Sequence, residues 1–165
     1  EKEPAKSFVP PQYEKRIAQL GDKDPGILQV QPVDRDGRPK QEFLTDEDFY
    51  LDIQLYSSKP MERLRLSVNL LSPGQGDLGS VSTPYSDFWF GIKPPVKVIR
   101  LCLPKIPLQV GGYHFDVTLY GPEIEDHYHC VRSAGHFRII GPPCNTFGYG
   151  VCHTFKFNHH WQEIS

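Results

Sequence analysis

Three stretches of the chain place, at every second position, side chains able to make directional polar contacts. In "DFYLDIQLY" these are Tyr50, Asp52, Gln54 and Tyr56, and in "ERLRLSVNLL" they are Arg63, Arg65, Ser67 and Asn69. In "VGGYHFDVTLYGP" they are His114, Asp116, Thr118 and Tyr120. A period of two is the period of a β-strand, so each set shares one face of its strand. Carboxylates, amides and guanidinium groups bond to hydroxyls, and an aromatic ring lies well against the apolar C–H face of a pyranose. Asp52, Gln54, Tyr56, Arg65, Asn69, His114, Asp116 and Tyr120 are therefore the residues expected to hold a carbohydrate, on the condition that their strands lie in one sheet. A sheet face that merely meets water would also be polar, and a structural or protein-interaction sandwich is the alternative.

The elements that must position these residues follow from what lies between them. Phe49, Leu51, Ile53 and Leu55, then Leu64, Leu66, Val68 and Leu70, then Tyr113, Phe115, Val117 and Leu119 form the opposite, apolar faces. Sixteen prolines and fourteen glycines punctuate short apolar runs, which argues against a helical protein. Strands are expected at "GILQV", "EFL", "DFYLDIQLYS", "ERLRLSVNLL", "LGSVST", "PVKVIRLCL", "GYHFDVTLY", "EDHYHCVR", "GHFRII" and "VCHTFKF". So many short strands at regular spacing predict an all-β, antiparallel, immunoglobulin-like β-sandwich with jelly-roll or Greek-key connections. One helix is expected, in "PPQYEKRIAQLG", where Tyr13, Ile17 and Leu20 recur at helical spacing, Pro11 suits the first turn and Gly21 can cap the end. Residues 1–25 read as a leader with this helix, and residues 26–165 as the sandwich.

Composition narrows the function classes. A net charge of −2 over 165 residues gives no footprint for nucleic acid or an anionic membrane. No apolar run approaches the roughly 20 residues of a membrane span, and "EKEPAKSFVPPQ" is not a signal peptide, so a soluble domain is expected. The first residue is not Met, which leads us to expect a longer parent chain. Cys102, Cys130, Cys144 and Cys152 could pair in three ways but form no C-x-x-C unit, and they read as thiols in a reducing compartment. His127 and His129 in "DHYHC" lie two apart, hence on one strand face, with Cys152, His153, His159 and His160 as further ligands for a metal; no metal site or cofactor is expected from so loose a set.

No catalytic signature stands out. There is no G-x-S-x-G elbow, no H-E-x-x-H helix, and "SPGQGDLGS" follows a strand without opening a helix, so it reads as a turn. Asp52 with Asp116 could serve glycoside hydrolysis only at a carboxyl separation of about 5.5 Å, or between about 6.5 and 9.5 Å. A non-enzymatic domain is the expectation. Should the sheet face not bind sugar, the loops around Tyr85 to Phe90, or the opposite sheet, are the next places to look. Trp161 in "NHHWQEIS" is either a core anchor or part of a partner surface.

The order of motifs resembles one family, the C-terminal carbohydrate-binding domain of the Wzt-type ATPase subunit of O-antigen polysaccharide ABC transporters. "ILQVQPVDRDGRP" looks like that family's opening strand and glycine turn, and "DEDFYLDIQLYSSKPMERLRLSVNLLSPGQGDLGSVST" like its next two strands with a small-residue ending. "VKVIRLCLPKIPLQVGGYHFDVTLY", "AGHFRIIGPP" and "GYGVCHTFKFNHHW" resemble the later strands, the last one bearing tryptophan. The likeness runs from about Gly26 to Trp161, while "PCNTFGYG" and "DHYHC" depart from it, so no single residue is carried over as a glycan contact. The resemblance implies recognition of the end of a lipid-linked, O-antigen-type polysaccharide in the cytoplasm, at the inner face of the membrane, without catalysis. It further implies an ATP-binding domain and a membrane permease as partners, and a homodimer in which C-terminal strands exchange. "VCHTFKF" suits that role, because an edge strand carrying Phe155 and Phe157 needs covering.

Overall fold

Two antiparallel-paired sheets of unequal size face each other across an apolar core. The structure, a computed structural model, describes residues 9–123 and 125–141. The smaller sheet has the order β1-β3-β7, from β1 (Gly26–Val33), β3 (Phe49–Tyr56) and β7 (Val96–Leu103). The larger has the order β2-β9-β8-β4-β5, from β2 (Glu42–Leu44), β9 (His127–Ile140), β8 (Gly111–Tyr120), β4 (Met61–Ser72) and β5 (Gly76–Ser82). A short β6 (Phe90–Ile92) pairs with β4 after a 3-10 turn at Thr83–Ser86, and β2 alone pairs in parallel, with β9. The chain crosses between the sheets at five of its eight strand connections, which is the Greek-key habit of sandwiches. This is the all-β sandwich that the strand spacing predicts.

Alternation decides which residues form the core. Phe49, Leu51, Ile53 and Leu55 on β3 and Phe115, Val117 and Leu119 on β8 are each at most 1% exposed, so every second residue of both strands is sealed between the sheets. Phe49 lies 4.5 Å, centroid to centroid, from Phe137 and 4.7 Å from Phe43, and Phe115 lies 5.4 Å from Phe137. This aromatic cluster joins β2, β3, β8 and β9, and tilted or offset rings at such distances add to area burial.

The expected helix is present as α1 (Pro11–Leu20), with Pro11 in its first turn and Gly21 at its end. It packs against β1, and the Arg16 guanidinium donates to Gln54 Oε1 at 3.2 Å, which fastens it to the outer side of the smaller sheet. Two details of the strand reading change. "EDHYHCVR" and "GHFRII" are one continuous strand, β9, because Ser133 and Gly135 at φ 52° and 59° absorb bulges without ending the pairing with β8. β6 is too short to announce itself by period. "VCHTFKF", Trp161, Cys144 and Cys152 lie outside the described residues.

The two sides of the sandwich differ. On one, β1 lies against β9, and the Ile27 amide donates to His129 Nδ1 at 2.9 Å across the gap. On the other, no described residue closes the core edge between β5 and β7, where apolar cavities of about 330 and 260 Å³ both border Val68, Val81 and Leu101. Val81 and Phe88 are exposed there, as is Val98 on the outer side of β7, and β7 pairs on its outer edge with no strand among the described residues.

Candidate functional site

The eight expected carbohydrate-binding residues do not share one surface. β3 pairs with β1 and β7, whereas β4 and β8 pair with each other in the opposite sheet. Asp52, Gln54 and Tyr56 therefore look outward from the small sheet, and Arg65, Asn69, His114, Asp116 and Tyr120 from the large one. The expectation of a single eight-residue face is corrected by the Greek-key crossover between β3 and β4, which moves the chain from one sheet to the other.

On the small sheet Asp52 and Gln54 already have partners. Arg100 Nε and Nη2 donate to Asp52 Oδ1 and Oδ2 at 2.6 and 2.9 Å, and Nη1 donates to the Arg35 carbonyl. The hydrogen bond to Asp52 raises the pKa of the guanidinium. Gln54 accepts from Arg16 of the helix. Tyr56 remains half-buried between Gly26 and Val96 in register. Asp52 and Asp116 also point away from each other on outer faces of sheets that pack about 10 Å apart, beyond glycosidase spacing.

The large sheet gathers the remaining five into a stripe. In register, Arg65 is opposite Tyr120, Ser67 opposite Thr118 and Asn69 opposite Asp116. Arg65 Nε donates to the Gly121 carbonyl at 2.8 Å and Nη2 to that of Glu123, which holds the guanidinium 5.5 Å from the centre of the Tyr120 ring. Asp116 Oδ1 accepts from the Ser133 amide at 2.8 Å, so this carboxylate closes the β9 bulge and keeps its other oxygen for a further partner. The His114 ring lies 5.3 Å from that of His136, and its Nδ1 is buried without a partner among the described residues.

At one end of the stripe is a shallow groove of about 200 Å³, lined by Arg65, Ser67, Ser80, Ser82, Tyr85 and Tyr120. Tyr85, on the 3-10 turn, is 84% exposed and so contributes nothing to the core. Three serine hydroxyls, a guanidinium and two phenol rings offer both donors and stacking area, the combination that a hydroxyl-rich ring needs. Sequence periodicity finds Arg65 and Tyr120 but misses Ser80 and Ser82, because β5 has no regular alternation of buried and exposed positions. The loop expected as the next place to look adds Tyr85 to the residues that periodicity brings to this groove.

The histidines of "DHYHC" take separate roles. A pairing irregularity between Leu119 and Tyr120 sets His129 opposite inward Leu119 and His127 opposite outward Tyr120, so the two do not share a face as expected. His127 packs edge-on to the Tyr120 ring at 5.4 Å, and His129 accepts from Ile27. Burial, together with the charges of Lys23 and His127, holds the pKa of His129 below the ordinary histidine value. Cys102 and Cys130 are free thiols.

The architecture defines an antiparallel β-sandwich domain that displays a polar, grooved sheet face. Its fold is similar to that of the C-terminal domain of Wzt, known from a crystal structure, with a TM-score of 0.64 and 9% sequence identity over 84% of this chain and 83% of that one. No family model and no curated protein matches the sequence. No helix among the described residues is long and apolar enough to cross a membrane.

Proposed function

We propose that this chain is a non-catalytic carbohydrate-binding domain that recognises the end of a lipid-linked, O-antigen-type polysaccharide for export by an ABC transporter. The observation that carries the reading is the groove on the large sheet, where Arg65, Tyr85 and Tyr120 surround serine hydroxyls that the core does not need. The fold shared with the C-terminal domain of Wzt supports the transporter setting. In that setting the domain works on the cytoplasmic side of the membrane, beside an ATP-binding domain and a membrane permease. Of the residues expected from sequence, Arg65, Asn69, His114, Asp116 and Tyr120 are proposed contacts. Asp52 and Gln54 are assigned instead to holding the small sheet and its helix, and Tyr56 lies on the same small-sheet face, away from the groove.

A homodimer with exchanged C-terminal strands belongs to the same proposal. The β5/β7 side supports it, since among the described residues β7 has no strand on its outer edge and lies beside apolar cavities. Truncation after Gly150 is expected to give monomer or insoluble chain, and an unchanged soluble dimer would refute it.

The test of glycan recognition uses the cell-surface polysaccharide of the source organism, titrated into the domain. Tyr85→Ala and Tyr120→Ala are expected to weaken binding with little change in thermal midpoint, because both rings lie outside the core. A folded protein whose spectra ignore millimolar sugar would leave the protein-interaction reading, centred on the exposed β5/β7 side. Release of reducing ends would make it a hydrolase instead.

A further inference from the structure

A cleft of about 920 Å³, larger than the groove beside Tyr85, opens at the β2–β9 edge of the sandwich and draws its lining from both sheets, Gln31 of β1 among them. Its outward lining comes from adjacent strands in register: Gly112 of β8 is opposite Arg138 of β9, which is in turn beside Glu42 of β2. His136, two residues from Arg138 on β9, and Gln41, whose carbonyl accepts from the Arg138 amide at 2.7 Å, complete it.

Three features bear on what this cleft can hold. The side chains of Arg138, Glu42 and Gln41 are exposed and have no hydrogen-bond or ion-pair partner among the described residues, so a cation, an anion and an amide can exchange water for a ligand without breaking a contact within the protein. His136 Nε2 lies 2.8 Å from the Ser133 carbonyl, which can only accept, so in the neutral ring Nε2 carries the proton and Nδ1 is left as an acceptor. Gly112 leaves the middle of the floor bare: a Cβ there would meet nothing within 4 Å. Lys40, also in the lining, is paired with Glu47, so the charges left unpaired are one cation and one anion, which favour neither a cationic nor an anionic ligand. Donors and acceptors together, around an open floor, suit a neutral, hydroxyl-rich ring.

The cleft and the groove are joined. Between Gly112 and Tyr120 the outward residues of β8 are His114, Asp116 and Thr118, with His136 packed on His114 at one end and Arg65 on Tyr120 at the other. At roughly 3.3 Å per residue the stripe is about 26 Å long. A single terminal sugar would occupy one end of it and leave the other empty.

We infer that the cleft around Gln41, Glu42, His136 and Arg138 is a second saccharide subsite, so that the domain binds a stretch of several neutral sugar residues laid along β8 and not the chain terminus alone. This rests on the carbohydrate-binding reading above and adds a length requirement to it. Two weak subsites on one chain gain from each other because the second contact is intramolecular once the first is made.

The test uses size-graded oligosaccharides from partial hydrolysis of the source organism's cell-surface polysaccharide, titrated calorimetrically into the full chain. Affinity is expected to climb with length until the fragment spans both subsites and then to level off. Arg138→Ala should lower affinity for the spanning fragments by about fivefold or more, the effect of a real contact, while leaving fragments of one or two residues unaffected. Gly112→Phe, which fills the bare floor without touching the core, should do the same, with thermal midpoints confirming both folds. Fragments that bind with an affinity independent of length, or spanning fragments indifferent to both changes, would overturn the second subsite and leave the groove intact. No binding by any fragment would overturn both readings.

Discussion

The Arg100 guanidinium grips the Asp52 carboxylate through two nearly parallel hydrogen bonds, of 2.6 and 2.9 Å, across the β3–β7 ladder. Asp52 is thus spent on its own sheet, in the geometry that suits a planar fork best. Asp52→Asn is expected to leave glycan affinity unchanged and to cost about 0.5–1 kcal/mol of stability, a modest figure because a third of the Arg100 side chain is open to screening solvent. A clear loss of glycan binding in a folded Asp52→Asn variant would return the small sheet to the binding surface.

Arg65 differs from Arg100 in what it holds. Its fork takes the Gly121 and Glu123 carbonyls together and supports the Tyr120 ring. Lysine would keep the charge but cannot span both carbonyls with the same planar geometry. Arg65→Lys is therefore expected to weaken glycan binding nearly as far as Tyr120→Ala does. Wild-type affinity in Arg65→Lys would mean that charge alone matters at this position.

Gly135 sits at φ 59°, and a Cβ there would come within 3.0 Å of Val30 and 3.3 Å of Leu51 and Phe115. Backbone strain and core overpacking act together at this position. Gly135→Ala should destabilise the fold by about 1–3 kcal/mol, read as a lower denaturation midpoint at unchanged slope. A neutral substitution would show that the bulge can relax.

His129 makes stability depend on pH. Its folded-state pKa lies below the ordinary value, chiefly through burial, and its Nδ1 accepts the Ile27 amide only while unprotonated. Well above the ordinary histidine value of about 6.5 both folded and unfolded rings are neutral, and the contact between β1 and β9 is intact. As pH falls below that value the unfolded chain takes up the proton first, so stability declines until the folded ring also titrates. His129→Asn, which keeps an acceptor and removes the titration, should flatten this part of the pH–stability curve. An identical slope in both proteins would remove His129 as its cause.

Strand alternation made the core legible. The inward sets of β3 and β8 are buried where the period of two puts them, and Leu64, Leu66 and Val68 of β4 likewise. The helix was legible too, through Pro11 and Gly21. Sheet membership was not, because Asp52 and Asp116 have the same local pattern and only long-range pairing sends their strands to different sheets. For the same reason Arg65 and Tyr120 could be named singly but not as partners. Gln41, Glu42, His136 and Arg138 were invisible as a group: they come from a loop and two strands that meet through a parallel pairing nearly a hundred residues apart.

The unequal sides of the sandwich give it a spine and a fore-edge. On the spine β1 and β9 are packed and latched by the Ile27–His129 bond, while at the fore-edge β5 and β7 stand apart around two small apolar hollows. Partial opening follows the line of fewest buried contacts, so the sheets part from the β5/β7 side as the pages of a book do, leaving the spine closed. Backbone amides of β7 should accordingly exchange with solvent sooner than those of β8 and β9. The face that carries Arg65, Asp116 and His114 lies mainly on the slow-exchanging strands, so sub-global opening leaves most of the proposed binding surface assembled.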